Sequence, residues 1–570
     1  MSDTRQEEFL NLPFQEKLEF LYGLPARQKR DLILSAPEAE RLVQSFAPET
    51  LFYTLKEIGV ADASDLLSLA VPEQVKSLFD LDCWDKDRPN LKRMREWIEA
   101  MAEGGRKRMA DGLMELDLEL VSLLLRQYLR VHRLDEPQEA TDAPSDRFVQ
   151  FDEHYLIEFI RHDAIQAHIL EFLEEAFERD YKHFTGLMEE VYWGVEAELE
   201  EEAYKFRSAR LADRGFPDYY EAQGVFGYLD PQNFLAIRSR YVAPERDTLE
   251  DNEVIAPAMA PVIADGGDSL FNAALTAGFA AQGKRQLRSE MAMVTNQVLV
   301  ARAVDFGDLE AVRLAVEMTH NYMNLALEHL AGGDLKTAIE HLRDTHLQLL
   351  FRLGVSLTID LRKRAQAVLA RLGLAPERTR EVPYLDSPFR EALAGFLQRQ
   401  PQFHASLDRE GAVVTRDFRV MRDLHLGYAV LEQIDAVPEL FKAVLGLDIA
   451  SAAFRANIAG HDIRLSQILL TALARYALDR RFVFAPIERE RLCEARDAIM
   501  THNERPARLS EGFRNAVDEF MAQKLDQSLR QRSAGFLNSC LNQLEEEFGE
   551  LDPRSPIDPR FIETLLIRRQ

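Results

Sequence analysis

The sequence predicts an all-α protein. Its first module is a superhelix of short helices, an armadillo-like solenoid, and further helical domains follow. Three observations carry this. Pro13, Pro25, Pro37 and Pro48 are 12, 12 and 11 residues apart, and Pro72 follows 24 residues later. Each proline opens a short amphipathic stretch. Most of the chain beyond residue 90 is rich in Glu, Leu, Ala and Arg, with apolar residues at helical spacing.

Proline suits a helix start, because its missing N–H would have no partner there and its φ is already helical. A helix of about nine residues and a tight turn fill one period. The slot near residue 60 holds Val60-Ala61-Asp62-Ala63-Ser64-Asp65, a helix start without proline. Apolar residues recur in phase. Phe20, Leu21 and Leu24 close the first unit; Leu32, Ile33 and Ala36 the second; Leu42, Val43 and Phe46 the third. Leu55 and Ile58, then Leu66, Leu67 and Leu69, then Leu78 and Phe79 continue the series. One such helix cannot bury its stripe alone, whereas stacked neighbours can.

The segments Leu24-Pro25-Ala26-Arg27-Gln28-Lys29-Arg30-Asp31-Leu32-Ile33 and Ala36-Pro37-Glu38-Ala39-Glu40-Arg41-Leu42-Val43 resemble the cytosolic N-terminal domain of the magnesium-transporter family. That resemblance spans about residues 10–100 and implies a superhelix of short helices. The family's hydrophobic pore is absent, so no transport activity is implied. The chain as a whole resembles an all-helical bacterial family of unknown function. Ala212-Asp213-Arg214-Gly215-Phe216-Pro217-Asp218-Tyr219, Ala331-Gly332-Gly333-Asp334-Leu335 and Leu469-Leu470-Thr471-Ala472-Leu473-Ala474 carry this second likeness. It implies no particular activity.

After the repeat, Asp80, Asp82, Asp85 and Asp87 crowd around Trp84. A calcium hand would add a glycine and a downstream glutamate. Helix caps around a packed tryptophan fit the pattern better. Helices are then predicted over about 92–101 and 109–134. Residues 136–147 have linker composition. In 148–242, Tyr155, Leu156, Phe159 and Ile160 are predicted to share a helix face. Leu187, Val191, Val195 and Leu199 recur at four-residue steps, with Glu189, Glu190, Glu196, Glu198, Glu200, Glu201 and Glu202 opposite. Residues 243–268, with several prolines and Gly266-Gly267, read as a connection. In 269–373 the run from Leu325 to Leu342 reads as a tetratricopeptide-like hairpin with a Gly-Gly-Asp corner. A connection at 374–388 leads to a mainly helical block that ends near Leu566. Val413-Val414 and Arg481-Phe482-Val483-Phe484 are its strand-like exceptions. The predicted domains are therefore 1–135, 148–242, 269–373 and 386–570.

A chain of 570 residues is too long for one core. An apolar content of 46 % with 29 % charged residues is that of an ordinary globular protein. No long apolar run predicts a membrane span. The first residues lack an apolar signal core, and Cys83, Cys493 and Cys540 show no ligand spacing, so a reduced cytoplasmic setting is expected. The net charge is −27, and residues 136–254 hold 11 Lys/Arg against 29 Asp/Glu, which makes −18 of it. Such a segment repels phosphate backbones, so no nucleic-acid binding is expected. It attracts basic proteins or divalent cations, or serves as a solvated face.

Phosphate loops, zinc signatures and nucleophile elbows are absent by inspection. No cofactor is predicted. A divalent cation could use Glu158 with His162 and Glu317 with His320, four and three residues apart, if each pair shares a helix face. Solvated histidines beside glutamates are the alternative. Glu196, Glu198, Glu200, Glu201 and Glu202 are the interaction candidates. Arg362-Lys363-Arg364 could meet them in another copy of the chain, giving a homo-oligomer. Trp84 and Trp193 read as core or interface anchors. The function expected is a scaffold or adaptor that mediates protein–protein interaction. An enzyme with its site between helical domains and a divalent-cation-responsive regulator are the alternatives.

Overall fold

The computed structural model describes residues 3–22, 24–134, 147–161, 163–244, 269–279, 281–375, 382–408, 414–458, 461–501, 506–551 and 556–568. The fold is all-α, with three small antiparallel sheets among the described residues. Contacts divide the chain into two compact units, Met1–Arg352 and Leu353–Gln570. The predicted linkers 136–147 and 243–268 fall almost wholly outside the described residues.

The first unit opens with the proline-punctuated module. Its helices are α1 (Asp3–Asn11), α2 (Phe14–Tyr22), α3 (Ala26–Ser35), α4 (Ala39–Gln44), α5 (Pro48–Ile58), α6 (Ser64–Leu67) and α7 (Pro72–Asp82). Pro48 and Pro72 occupy first-turn positions, and Pro25 is the residue before the helix. The proline-free slot holds a 3₁₀ turn, Ala61–Ala63, that leads into α6. Helix α3 packs on α4 and α5, and α5 packs on α7. The seam between them is Leu32, Ile33, Leu42, Val43, Leu51, Leu55, Leu66 and Leu78, all buried. Short helices leave many end carbonyls free. One side chain answers several here: Gln74 Nε2 donates to the Val43 and Phe46 carbonyls at 3.0 and 2.9 Å, and its Oε1 accepts from Val71 N–H. No strand occurs in this stretch among the described residues.

A two-stranded ribbon, β1 (Trp84–Asp85) with β2 (Arg88–Pro89), then joins the module to α8 (Leu91–Glu103), α9 (Arg106–Glu115) and α10 (Leu118–Leu125). The aspartates around Trp84 do not cap helices. Buried Asp82 accepts from Trp97 Nε1 at 2.9 Å and from Lys56 Nζ at 3.0 Å. Arg93 donates to the Asp82 carbonyl at 3.0 Å and forms a two-pronged ion pair with Asp305.

Two predicted helical stretches are strands. Residues Leu129–Arg133 form β3, Phe148–Gln150 form β4 and Tyr155–Phe159 form β5, in the order β3-β5-β4. Val131 and Val149 both pair with Ile157, one from each side. Tyr155, Ile157 and Phe159 are buried in alternation, which is the two-residue period of a strand. Leu156 and Ile160 therefore do not share a face with Tyr155 and Phe159. Strand β4 is a near neighbour in the chain, but β3, which pairs with all of β5, lies more than twenty residues upstream, beyond any local pattern.

Helices α11 (Ala164–Arg179), α12 (Tyr181–Trp193) and α13 (Glu196–Asp213) follow. Later in the unit, the helix Leu309–Ala331 turns at Gly332, which is left-handed at φ 57, and Gly333, at φ 87. Asp334 then caps the helix Leu335–Asp344 by accepting from Thr337 N–H at 2.8 Å, and the two helices pack. The predicted hairpin is thus present.

In the second unit, the helices Met421–Leu445 and Gln527–Gly549 pack along one another, with Phe389 and Phe441 against Phe536. Buried Asp435 accepts from Arg364 and Arg371 at 2.9 and 2.6 Å. The last described α-helix ends at Gly549, and a 3₁₀ turn follows at Pro559–Phe561. Beyond it Ile567 forms a parallel bridge with Ile487. Arg481–Phe484 is not a strand, and Val413 lies outside the described residues. Val414 leads into Thr415–Arg416, which pairs with Phe403–His404.

Candidate functional site

The four-residue rhythm Leu187, Val191, Val195, Leu199 predicts one continuous stripe. The chain instead breaks at Gly194. Leu187, Val191 and Leu199 are buried, whereas Val195 is exposed. Trp193, the last residue of α12, is 62 % exposed. A Cβ on Gly194 would fall far inside contact with the Glu190 carbonyl and 2.9 Å from Leu199 Cδ1, so the turn requires glycine. Arg126 holds it: Nη1 donates to the Val191 carbonyl at 3.0 Å and to the Gly194 carbonyl at 2.7 Å. These are helix-end acceptors, which a cation satisfies well. The elbow is therefore fixed by the fold, and the indole it presents stands in solvent with Tyr192 edge-on at 4.7 Å.

Helix α13 carries the acidic run. Glu196, Glu198, Glu201 and Glu202 are exposed and Glu200 is half-buried. Glu201 pairs with Lys205 at 2.7 Å, a surface contact of little energetic weight. The other side of α13 is basic. Arg210 bonds Asp80 and Asp117. Arg207 Nε donates to the Asp80 carbonyl at 2.7 Å, and its guanidinium lies 5.1 Å from the Trp84 ring centre. Burial pushes the Arg207 pKa down to about 10, with the Asp80 charge opposing it. The acidic face points outward because the basic edge is tied inward.

Burial raises the Glu119 pKa, and the charges of Asp117, Glu202 and Glu190 push in the same direction against a backbone hydrogen bond. Glu119 is on α10, Glu190 on α12 and Glu202 on α13. The Glu190 carboxylate reaches within 3.1 Å of the position a Gly194 Cβ would take.

Of the two predicted pairs, Glu317 and His320 lie three residues apart on the helix Leu309–Ala331, as expected, whereas Glu158 does not lie on a helix. Glu158 is on strand β5, so no helix face joins it to His162, which lies outside the described residues. Its Oε2 meets His132 Nε2 at 3.0 Å. Glu317 is half-buried and lies 3.6 Å from Arg313. His320 is buried, with Nε2 3.1 Å from Asn272 Oδ1 and 3.3 Å from Ser269 Oγ. Among the described residues no group of three or more His, Cys, Asp or Glu side chains is placed to hold a metal ion. Of the basic triplet, Arg364 is held by Asp435, Lys363 lies 2.8 Å from Asp360, and Arg362 donates to the Arg399 carbonyl.

A separate open cleft of about 340 Å³ lies in the N-terminal module. Leu67, Val71, Val75, Met101, Lys107 and Arg108 are among the residues that line it. The sequence reading missed this cleft, the exposure of Trp193 and the Arg126 staple. Only the Trp-Gly pair at 193–194 hinted at the elbow.

No described helix is long and apolar enough to cross a membrane. No curated protein and no solved structure matches the chain. A family model does match, over residues 6–568, and its description is that of a family of unknown function. The chain belongs to that family, DUF6178.

Proposed function

We propose that this chain is a helical scaffold or adaptor that recruits a protein partner through the α12–α13 elbow. The observation that carries the reading is Trp193, which stands 62 % exposed on a turn held by Arg126. A large aromatic side chain in water gains by being covered, and tryptophan is prominent among residues that dominate protein interfaces. A rigid turn lowers the ordering cost of binding. The acidic outer face of α13 lies directly after it in the chain and supplies a charged border.

The test is affinity capture of the full-length chain from its native cell beside the Trp193→Ala variant. A partner retained by the wild type and lost by the variant is expected. Identical partner sets, or no partner for either chain, would remove the elbow as a recruiting surface.

A further inference from the structure

The cleft of about 340 Å³ in the N-terminal module is bounded by α4, α6, α7, α8 and α9. That size suits one small molecule, at the lower end of ordinary ligand pockets. Its apolar wall is Leu67, Val71, Val75 and Met101. Leu67, Val75 and Met101 are otherwise buried, so the cleft reaches the core of the module. Helix α9 lies against this wall at Gly112, where a Cβ would stand 3.1 Å from Met101 Sδ and 3.1 Å from Val75 Cγ1. Arg108 is one turn before Gly112 on the same face of α9, about 6 Å along the axis. The charged residues that line the cleft are Glu40, Lys107, Arg108 and Asp111. Asp111 is paired from outside by Arg179, at 2.6 Å. Arg108 reaches across from α9 to Glu40 on α4 at 3.7 Å, which is beyond hydrogen-bond length. Both side chains are exposed, so this pair has little energetic weight. Two cations thus line the cleft beside one carboxylate not already held from outside, and its charge balance is positive.

We propose that this cleft binds a small carboxylate with an apolar body. The hydrocarbon lies on Leu67, Val71, Val75 and Met101. The carboxylate accepts from Lys107 and from Arg108, which gives up its loose contact with Glu40. Exchanging a 3.7 Å surface pair for charge-assisted hydrogen bonds of ordinary length favours the ligand. A bare anion would leave the apolar wall in water, and a neutral hydrocarbon would leave the positive balance unmatched, so the ligand carries both parts. Glu40 competes with it for Arg108.

The probe is octanoate, titrated calorimetrically into the full chain at low salt, beside octan-1-ol and acetate. Octanoate should bind. The alcohol keeps only the chain and acetate only the charge, and each should bind more weakly by about tenfold or more. Lys107→Gln/Arg108→Gln should weaken octanoate binding about tenfold, the scale of a lost charge-assisted hydrogen bond. Glu40→Gln should instead tighten it several-fold, since Arg108 is released. Lys205→Gln and Glu310→Gln make the same kinds of charge change at exposed positions outside the cleft and should change nothing. Ala70→Phe adds bulk to the cleft lining and should abolish binding. Thermal unfolding checks that this variant is folded; should it not be, the exposed Lys107/Arg108 pair and Glu40→Gln decide. No octanoate binding, octanoate no tighter than either comparator, or full binding by folded Ala70→Phe would each overturn the proposal. So would unchanged affinity in the Lys107/Arg108 variant or weaker binding in Glu40→Gln. No residue of this cleft lies on α12 or α13, so failure here leaves the elbow reading untouched.

Discussion

The guanidinium of Arg210 grips the carboxylate of Asp80 with two parallel bonds, Nε to Oδ2 at 2.7 Å and Nη2 to Oδ1 at 2.8 Å. The same side chain bonds Asp117 through Nη1, at 3.0 Å, and Nη2. One cation thus ties the acidic helix α13 to α7 and to the residue before α10. The Asp80 carboxylate is buried, whereas Asp117 is half-buried and also pairs with Lys76 at 3.2 Å.

Arg210→Ala should destabilise the first unit by about 3 kcal/mol, because it strands the buried Asp80 carboxylate. Arg210→Lys should recover little, since an ammonium cannot repeat the two-pronged geometry. Urea unfolding measures both variants. A loss below about 0.5 kcal/mol for the alanine variant, the range of ordinary surface substitutions, would show that the pairing has no net weight.

Gly194→Ala should cost about 1–3 kcal/mol, the usual range for forcing atoms into a filled site. The φ of Gly194 is −57, so the penalty is steric and not conformational. The variant should also change the quenching of Trp193, because the turn must shift to admit a methyl group. Unchanged stability and unchanged quenching together would contradict the elbow geometry.

The chain has three tryptophans. Trp84 and Trp97 are 6 % and 1 % exposed, against 62 % for Trp193. Acrylamide should therefore quench one population efficiently, and Trp193→Phe should abolish nearly all of that component. A strongly quenched signal that persists in the variant would place a second indole in solvent.

His320 sets a pH dependence. Burial holds its pKa below the ordinary value of 6.5, against opposing contributions from Asn321 and Glu317. The unfolded chain therefore takes up the proton first. Stability from the neutral imidazole is present above pH 6.5 and is lost as pH falls below it. His320→Gln should flatten the stability profile of the first unit below pH 6.5, where a lowered histidine acts. Thermal unfolding across that range is the measurement, and a profile as steep as that of wild type would assign the slope to other groups.

The local parts of this fold were legible in the sequence. Pro48 and Pro72 mark helix starts because first-turn geometry depends only on the residue itself and its next few neighbours. Gly332, Gly333 and Asp334 mark the hairpin for the same reason: a left-handed turn and a cap are closed within a few residues. Helical hydrogen bonds run four residues along the chain, so an all-α class can be read from short windows.

What the tertiary structure alone decided lies where partners are far apart in sequence. Strand β5 is a strand because β3, more than twenty residues upstream, pairs along its whole length, and its short apolar pattern fits a helix face equally well until it does. Arg210 finds Asp80 across 130 positions and Asp117 across 93. Arg126 reaches the elbow across 65. Trp193 is exposed because α12 stops at that turn, whereas composition alone places a tryptophan in the core. Sequence periodicity fixes which residues are apolar. Which apolar residue remains in water depends on the path of the whole chain, since burial is a property of neighbours brought together by folding.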